Sequence, residues 1–367
     1  MRKTCRAGSP GCDPLHRVNI TIRPLDASAS DAVIEQLLSF NVASDLELYG
    51  ACEQYTLAQR RAALTDTEYF HRQRWIAVTE PIEGGEAVIG IAAVTFPQQE
   101  NLEQAFVGLD VHPAYRGQGV ATQLIEEAVR PALEASGHDI VTFFGNVPAD
   151  GEASDPSFAW NRVAKRLGAS IKNVSIERLL ALPVPGDRLD RLEAHAQEKA
   201  GPYRFELWDD EIPEEHVAAY GVLLRQLDLD DPDGDAELEA GEYTPERVRS
   251  LVATQRERGM RTLVAVAIAP DGQIVGNSEI RWSTGDGATL AWQENTLVMP
   301  EHRGHRLGLG MKVLTHRRIS ELAPDLRVLV TCNAAENPWM ISVNEQLGYE
   351  IAFRENVYQG PIVATAP

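Results

Sequence analysis

The chain has 367 residues, with few cysteines, no membrane-length apolar run and no excess of positive charge. Its four cysteines (Cys5, Cys12, Cys52 and Cys332) form no CxxC pair and no disulfide framework, which predicts a reducing, cytoplasmic location. No apolar stretch approaches the ~20 residues that a membrane span needs. Residues 1–17 carry basic residues but no apolar core, so they predict a flexible tail and exclude a signal peptide.

Positive charge is scarce as well. The 34 Lys and Arg residues stand against 54 Asp and Glu residues, and the formal net charge is −20. Nucleic acids and anionic membranes bind basic surfaces, so neither is an expected partner. An acidic field suits a cationic or amine substrate, although many cytosolic proteins are acidic for solubility alone.

Two matching turns rich in Arg and Gly are the most informative feature that is present. Residues 111–121 and 298–308 align without a gap, and each joins the end of a strand-like run to the start of a helix-like run. Such a turn points several backbone N–H groups at the positive end of a helix, which favours an anionic ligand. Two copies predict two similar domains, each able to hold a phosphate-bearing ligand.

The order of predicted elements around the turns also repeats. In the first copy a strand pattern at 18–25 is followed by helical patterns at 29–49 and 56–73 and by strands at 75–79 and 87–96, the last two joined by a turn through Gly84 and Gly85. Pro131 should kink or shorten the helix that follows the turn. Matching order and spacing predict an internal duplication. The expected segments are a tail (1–17), a first domain (18–182), a linker with a charged helix (183–201) and a second domain (202–367).

An acidic stretch at 228–235 looks at first like a calcium loop. An EF-hand needs an oxygen ligand at its first position and Glu at its last, but the frame set by Gly234 places Leu229 and Ala240 there. The stretch is therefore interpreted as a mobile acidic loop, and no metal site is expected.

The first turn carries a recognisable motif, Arg116-Gly-Gln-Gly119-Val-Ala121. Gly119 and Ala121 have little or no side chain, so the backbone can approach a pyrophosphate. Together with its preceding strand and the repeat, the motif resembles the GNAT superfamily of acyl-CoA-dependent N-acetyltransferases. The two-domain layout is similar to that of mycothiol synthase, a tandem member of the family, but no motif indicates mycothiol chemistry.

The resemblance covers residues 18–182 and 202–360. It implies an α/β (α+β) fold of two tandem GNAT-like domains, each a mixed, mostly antiparallel sheet flanked by helices and splayed where acyl-CoA inserts. The residues that it implies for CoA binding in the turns are Val111, Arg116, Gly117, Gln118, Gly119, Val120 and Ala121, and then Val298, Arg303, Gly304, His305, Arg306, Leu307 and Gly308.

The second turn departs from the motif because Arg306 stands where the first copy has Gly119. An alternative frame, His305-x-x-Gly308-x-Gly310, restores the glycines but loses the basic first residue. Arg306 either strengthens phosphate binding through charge-assisted hydrogen bonds or obstructs the turn by its bulk, and binding is the favoured interpretation.

The second half has a later polar element that the first half lacks. Asn337, Met340 and Asn344 are spaced to share one helix face, and Asn333 precedes them. The resemblance implies that this face lies along the pantetheine arm and thioester, which adds Asn333, Asn337 and Met340 to the expected CoA contacts. Alternatively, Met340 is core and the asparagines are caps. Many family members carry a tyrosine acid at the position of Asn344, and neither half has it.

The strand before the second turn, residues 292–298, carries an unusual polar load for a central strand. Alternation predicts Glu294 and Thr296 on one face, and Gln293 and Asn295 on the other. Amine acylation needs a proton acceptor, and Glu294 is the first candidate, with Glu279 on the preceding strand second. Asn295 and Asn344 complete the expected catalytic set. The alternative is that Glu294 is exposed near a sheet edge.

The corresponding strand of the first half is largely apolar, and its single carboxylate, Asp110, is expected to support the turn, with a role as a base as the alternative. The sequence therefore predicts an acetyl-CoA-dependent N-acetyltransferase for a primary amine of a small molecule or peptide, with chemistry in the second half. The alternatives are a non-catalytic acyl-CoA sensor or scaffold and an acyltransferase that uses a larger acyl-CoA. A monomer or homodimer is expected.

Overall fold

In the described residues of this computed structural model, twelve strands form one sheet, flanked by helices on both faces. The structure describes residues 19–79, 87–232 and 234–363. The expected tail and the turn through Gly84 and Gly85 lie outside these ranges. No helix in the described ranges is long and apolar enough to cross a membrane.

The strands have the following bounds in chain order: β1 Thr21–Pro24, β2 Phe70–Thr79, β3 Ala87–Pro97, β4 Gln104–Val111, β5 Ile140–Pro148, β6 Ser170–Ala181, β7 Arg204–Asp209, β8 Met260–Ile268, β9 Ile274–Ser283, β10 Leu290–Val298, β11 Val328–Ala334 and β12 Glu350–Pro361. The helices are α1 Asp31–Tyr49, α2 Leu57–Ala62, α3 Val120–Leu124, α4 Arg130–Ser136, α5 Ala159–Leu167, α6 Gly186–Ala200, α7 Val217–Asp230, α8 Pro245–Glu257, α9 Leu307–Leu322 and α10 Pro338–Leu347.

The order of strands in the sheet shows the duplication directly. It reads β1-β2-β3-β4-β5-β12-β6-β11-β10-β9-β8-β7, so the first half runs inward from one edge and the second half runs inward from the other. The last strand of each half is exchanged: β12 pairs with β5 of the first half, and β6 pairs with β11 of the second half. The two predicted segments are thus interlocked, because each is completed by a strand from the other.

Helices cover both faces of each half. In the first half, α1 packs Ile34, Leu37 and Phe40 on one face, while α3 and α5 cover the other. In the second half, α7 and α8 pack on the first face, and α6, α9 and α10 pack on the second. The predicted linker helix is confirmed as α6, and it belongs to the core because Leu189, Leu192 and Ala196 are buried against α9.

One local prediction was wrong. The helical pattern predicted to reach residue 73 ends at Ala62, and Phe70–Gln73 belong to β2, because this stretch pairs with β3 along its full length.

The helix after the first turn changes its winding just before Pro131. The α-helical segment α3 is followed by one π-helical turn, Ile125–Val129, and then by α4, in which Pro131 is the second residue. A π-helical turn accommodates the N–H that proline lacks.

Candidate functional site

The two Arg/Gly turns have the same internal geometry. Arg116 Nε donates to Val111 O at 3.0 Å, and Arg303 Nε donates to Val298 O at 3.0 Å. Each arginine also pairs with a carboxylate of an earlier helix of its half, Arg116 with Glu47 of α1 and Arg303 with Asp230 of α7. Each arginine therefore holds its turn against the end of the preceding strand. The matching hydrogen bonds support the prediction that the two turns are copies of one structure.

The first turn is an open cradle for an anion. Gly117 and Gly119 have φ of +77° and +90°, conformations that side-chain-bearing residues rarely adopt. No atom lies within 4 Å of where a Cβ would stand at either glycine, so the space in front of the backbone is free. Helix α3 begins at Val120 directly after it, and the first N–H groups of a helix lack intrahelical acceptors.

In the second turn, Arg306 adopts the left-handed conformation of Gly119, with φ of +55°. Its Nη1 donates to His195 O at 2.6 Å and lies 2.9 Å from a carboxylate oxygen of Glu198, both on α6. The guanidinium is therefore held by the helix between the two halves. Its favoured role as a phosphate ligand stays a prediction.

Each half of the sheet splays beside its turn, where two parallel strands part. β4 pairs with β5 from Gln104 as far as Phe106, and β10 pairs with β11 from Leu290 as far as Gln293. The second splay has an additional feature: the register of β10 against β9 shifts between Gln293 and Thr296. The pairing of β4 with β3 is continuous from Phe106 to Val111, so the described part of β4 has no such bulge.

The bulge changes which side chains share a face, so the alternation predicted for this strand is wrong. Gln293 Nε2 lies 3.3 Å from Ser278 Oγ and 3.5 Å from Thr296 Oγ1, which places Gln293 and Thr296 together on the α9 side. Glu294 and Asn295 both face the α7 and α8 side. An extra residue in one strand breaks the two-residue period of side chains. β10 is also a central strand, so Glu294 is not at a sheet edge.

Arg281 joins the two candidate bases. Its Nη2 donates to Glu279 at 2.8 Å, and its Nη1 lies 3.3 Å from a carboxylate oxygen of Glu294. Glu279 is almost fully buried and also accepts a 2.9 Å hydrogen bond from Tyr220 Oη. Glu294 keeps 34 % of its side chain exposed. Burial by its neighbours raises the pKa of the Glu294 carboxyl, and Arg281 opposes that shift.

The predicted asparagine face is a buried network. Asn344 is fully buried, its Oδ1 accepts from Lys312 Nζ at 2.7 Å, and its Nδ2 donates to Asn333 Oδ1 at 3.2 Å. Asn337 is the N-cap of α10 and accepts from the backbone N–H of Met340 at 3.1 Å. For Asn337, this cap matches the alternative given from the sequence, in which the asparagines are helix caps. The network joins α9, α10 and β11.

Two cavities open on the face that carries Glu294 and Asn295. One, of about 190 Å³, lies under α7 and α8 and has Glu279, Arg281 and Asn295 in its wall. The other, of about 430 Å³, lies between the halves and has Glu294 in its wall. Gln255 of α8 borders both cavities, so they adjoin.

The first half has no equivalent of the polar network around Glu294 and Asn344 at its described residues. Asp110 Oδ2 accepts from Ser44 Oγ at 2.6 Å, and its Oδ1 accepts from the Val111 backbone N–H at 2.7 Å and lies 3.8 Å from Arg116 Nη2. Asp110 thus buttresses the turn, as expected. The positions that align with the asparagine face are Trp160 and Ala164 on α5, and Ala164 is buried in the core of the first half.

The expected acidic loop is partly helical. Helix α7 continues to Asp230, which pairs with Arg303, and Asp233 lies outside the described residues. Over the described ranges, no group of three or more His, Cys, Asp or Glu side chains is arranged to hold a metal ion.

Several residues around the site were not found from the sequence. Arg281 lies two positions after Glu279 on β9, and two charges on one face of a buried strand are a signal that could have found it. Lys312 could have been found as a charged residue on the apolar face of α9. Glu53 reaches Trp292 from the other half of the chain, and no local pattern indicates such a contact.

Comparison with known proteins agrees with this geometry. Residues 40–154 match the model of the Acetyltransferase (GNAT) family. A tandem GNAT protein from the clavulanic acid biosynthesis pathway superposes with a TM-score of 0.74 at 23 % identity, covering 95 % of this chain and 100 % of that one. The chain has the fold of a tandem GNAT protein. No curated protein matches the chain.

More distant structures share the tandem GNAT fold. A GCN5-related N-acetyltransferase from Sphaerobacter thermophilus has a TM-score of 0.57 at 17 % identity, covering 95 % of this chain and 97 % of that one. The N-myristoyltransferase of Saccharomyces cerevisiae has a TM-score of 0.54 at 10 % identity, covering 96 % and 82 %. The likeness to these structures concerns the fold.

Proposed function

We propose that this tandem GNAT protein is an acetyl-CoA-dependent N-acetyltransferase for a primary amine of a small molecule or peptide, and that the chemistry occurs in its second half. The observation that carries the proposal is the bulge of β10 at Glu294 and Asn295, directly beside the splay of β10 and β11. It turns a carboxylate and an amide toward the same cavity-bearing face. The described part of β4 offers no equivalent.

The residues present suit acetyl-CoA as the donor. The open cradle at Gly117 and Gly119 and the start of α3 supply backbone N–H groups for phosphates. In the second half, Gln293 Oε1 is buried at the splay and has no hydrogen-bond partner among the described residues. Buried acceptors are rarely left unpaired, so this oxygen suits an N–H donor of the ligand. Bound acetyl-CoA supplies an acetyl group activated as a thioester.

The chain's own residues then handle the proton of the amine. Glu294 is the favoured general base because it is reached by solvent and its raised pKa places its proton affinity closer to neutral pH. Glu279 is the second candidate, but Tyr220 and Arg281 already occupy its carboxylate. Asn295 lies beside Glu294, where its amide can orient the acceptor.

Replacing Glu294 with Gln tests the base. The variant keeps the shape of the side chain but cannot accept a proton, so kcat should fall by about 10²–10⁴-fold with an amine that the wild type acetylates. The acidic limb of the kcat/KM profile should also disappear. The control is Glu103→Gln, an exposed glutamate just before β4 in the first half, which should retain wild-type kcat. Equal losses in both variants, or an unchanged Glu294→Gln enzyme, would contradict the assignment.

The division between the halves is tested by calorimetric titration of CoA into the wild type, Gly119→Trp and Gly308→Trp, read for stoichiometry. The indole at Gly119 should remove binding at the first turn, and the indole at Gly308 should remove binding at the second. If acetylation survives in Gly119→Trp and is lost in Gly308→Trp, the second half is the catalytic one. Loss of both binding and activity only in Gly119→Trp would reverse the assignment.

One observation favours a different function. Asn344 is fully buried and both of its polar atoms are satisfied, so the position where family members carry a tyrosine acid has no free hydroxyl donor. A non-catalytic acyl-CoA sensor or scaffold would show tight CoA binding and no thiol release with any amine. An acyltransferase for a larger donor would instead release thiol faster from succinyl-CoA than from acetyl-CoA.

A further inference from the structure

The larger of the two cavities is built by both halves of the chain. We call it the shared pocket and define it by Glu53, Tyr55 and Arg60 from the first half and Arg258, Trp292 and Glu294 from the second. Its volume of about 430 Å³ lies at the lower end of the range of small-molecule sites. It would hold a ligand of amino-acid to dipeptide size.

The first-half wall of the shared pocket is fixed onto the second half by backbone hydrogen bonds. The N–H of Cys52 donates to Thr289 Oγ1 at 3.0 Å, and the N–H of Gln54 donates to Ser283 Oγ at 2.9 Å. In return, Gly285 N–H donates to Gln54 O at 3.1 Å. Glu53 and Tyr55 are therefore held in place, because the residues beside them are tied down.

Two carboxyl groups lie in the wall of the shared pocket. Glu53 accepts a 3.1 Å hydrogen bond from Trp292 Nε1 and lies on the same side of the sheet as Glu294. Burial, reinforced by the nearby charge of Asp45, raises the pKa of Glu53 to about 7. Two carboxyl groups in the wall of one cavity suit a ligand ammonium group, which would offset their mutual repulsion.

The wall of the shared pocket also contains two arginines that make few hydrogen bonds. Arg60 Nε is buried and has no hydrogen-bond partner in the described part of the chain, and the charges of Glu53 and Asp45 act on this guanidinium. The Arg258 guanidinium donates a long hydrogen bond of 3.5 Å to Thr65 O. A buried donor is costly to leave unpaired, so these guanidinium groups suit an anionic group of a ligand.

Two further arginines lie close by on β2. Arg72 Nη1 is buried without a hydrogen-bond partner among the described residues. Burial, together with the charges of Arg258 and Arg74, lowers the pKa of Arg72 to about 10. The carboxylate nearest to Arg74 is Asp66, at 4.0 Å. In a chain of net charge −20, several arginines close to one cavity make this region suited to an anion.

We propose that the acceptor amine also carries an anionic group, and that the shared pocket binds it as a zwitterion, with the amine toward Glu53 and Glu294 and the anion on Arg60 and Arg258. The inference rests on the proposed acetyltransferase function and narrows its substrate class. A small amino acid or amino-acid-like molecule has the right charges and size. A simple alkylamine or polyamine leaves the arginines unpaired.

The test is steady-state thiol release from acetyl-CoA with a panel of amino acids, each paired with its carboxamide. The pairs share the amine and differ in the anion. For the best acceptor, kcat/KM should be at least about tenfold higher for the acid than for the carboxamide, the effect of one lost charge-assisted hydrogen bond. The variants Arg60→Gln and Arg258→Gln should raise KM for the acid about tenfold and leave the carboxamide unaffected.

Matched controls separate recognition from folding. Arg256→Gln changes a nearby arginine of α8 that already pairs with Asp210, so it should leave the acid preference intact. The conservative variant Arg60→Lys should recover part of the preference if its charge matters. Equal kcat/KM for acids and carboxamides in the wild type, or a preference that survives in both Gln variants, would overturn the inference while leaving the acetyltransferase function in place.

Calorimetric titration of the same panel tests the shared pocket even if none of the amines is acetylated. Saturable binding of an amino acid that is lost in Arg60→Gln would support the pocket even if no thiol is released, and only the proposed chemistry would then fail. If no panel member binds or is turned over, the inference fails, and the acetyltransferase function is then tested with amines outside the panel.

Discussion

Lys312 offers the sharpest quantitative prediction. It is fully buried on α9, where its Nζ donates to Asn344 Oδ1 at 2.7 Å and lies 5.5 Å from the centre of the Tyr349 ring. Burial and the positive charge of Arg178 lower its pKa from 10.5 to about 7. The fold thus favours the neutral amine, whereas the unfolded chain favours the ammonium.

The pKa shift of Lys312 sets the size and the sign of the change in stability with pH. It corresponds to about 5 kcal/mol at 1.36 kcal/mol per unit. The pKa of Lys312 is lower in the folded state than in the unfolded state, so burying this lysine destabilises the fold when it is protonated. This destabilisation is absent above pH 10.5, grows as the pH falls, and is complete below pH 7. Roughly 3 to 4 kcal/mol of it should develop between pH 10 and pH 7. The contacts with Asn344 and Tyr349 favour the ammonium, so this is an upper bound.

Lys312→Met removes the titrating group and nearly conserves the side-chain volume. It also leaves Asn344 Oδ1 without its donor, at a cost of about 1–3 kcal/mol. The variant should therefore be more stable than the wild type at pH 7 by about 2 kcal/mol and less stable at pH 10. Urea unfolding of both proteins at pH 7, 8, 9 and 10 measures the difference, with the exposed Lys165→Met as control. A difference that does not vary with pH would refute the reasoning.

Three further predictions concern other sites. Burial raises the pKa of Glu177 from 4.5 to about 7, so the wild type should lose stability relative to Glu177→Gln as the pH rises from 4.5 through 7. The loss should reach up to about 3 kcal/mol at pH 8, measured by urea unfolding. The same difference in stability between the two proteins at pH 5 and pH 8 would contradict this. Gly145→Ala places a Cβ 2.3 Å from the Trp160 ring and should lower the free energy of unfolding by about 1–3 kcal/mol, whereas Gly108→Ala on the neighbouring strand meets no atom within 4 Å and should not. Gly119→Ala forces an alanine to φ near +90° and should destabilise the first turn by about 1–2 kcal/mol and weaken CoA binding, measured by thermal unfolding and calorimetry.

The repeat and most of its elements could be predicted because their signals are local. The two turns, the helix from Leu307 to Leu322 and the strands that flank it follow from periodicity, glycine positions and the alignment of one half on the other. The tandem GNAT fold followed from the same residues, and the comparisons confirm it.

The polar strand was recognised from the sequence, but its geometry was not. Glu294 and Asn295 share a face because one extra residue bulges out of β10, and a bulge is set by pairing with β9. The pattern of residues within the strand cannot show where its register slips. For the same reason, the sequence could not show that Arg281 stands between Glu279 and Glu294.

By itself, the sequence determined the duplication, the turn chemistry and the acidic character of the chain, since these depend on neighbouring residues. Only the tertiary structure decided that β6 and β12 change places, that Lys312 pairs with Asn344, and that Glu53 meets Trp292. These contacts join residues far apart in the chain. They arise from how the two halves close one sheet and bury its faces, and no local pattern of side chains encodes that closure.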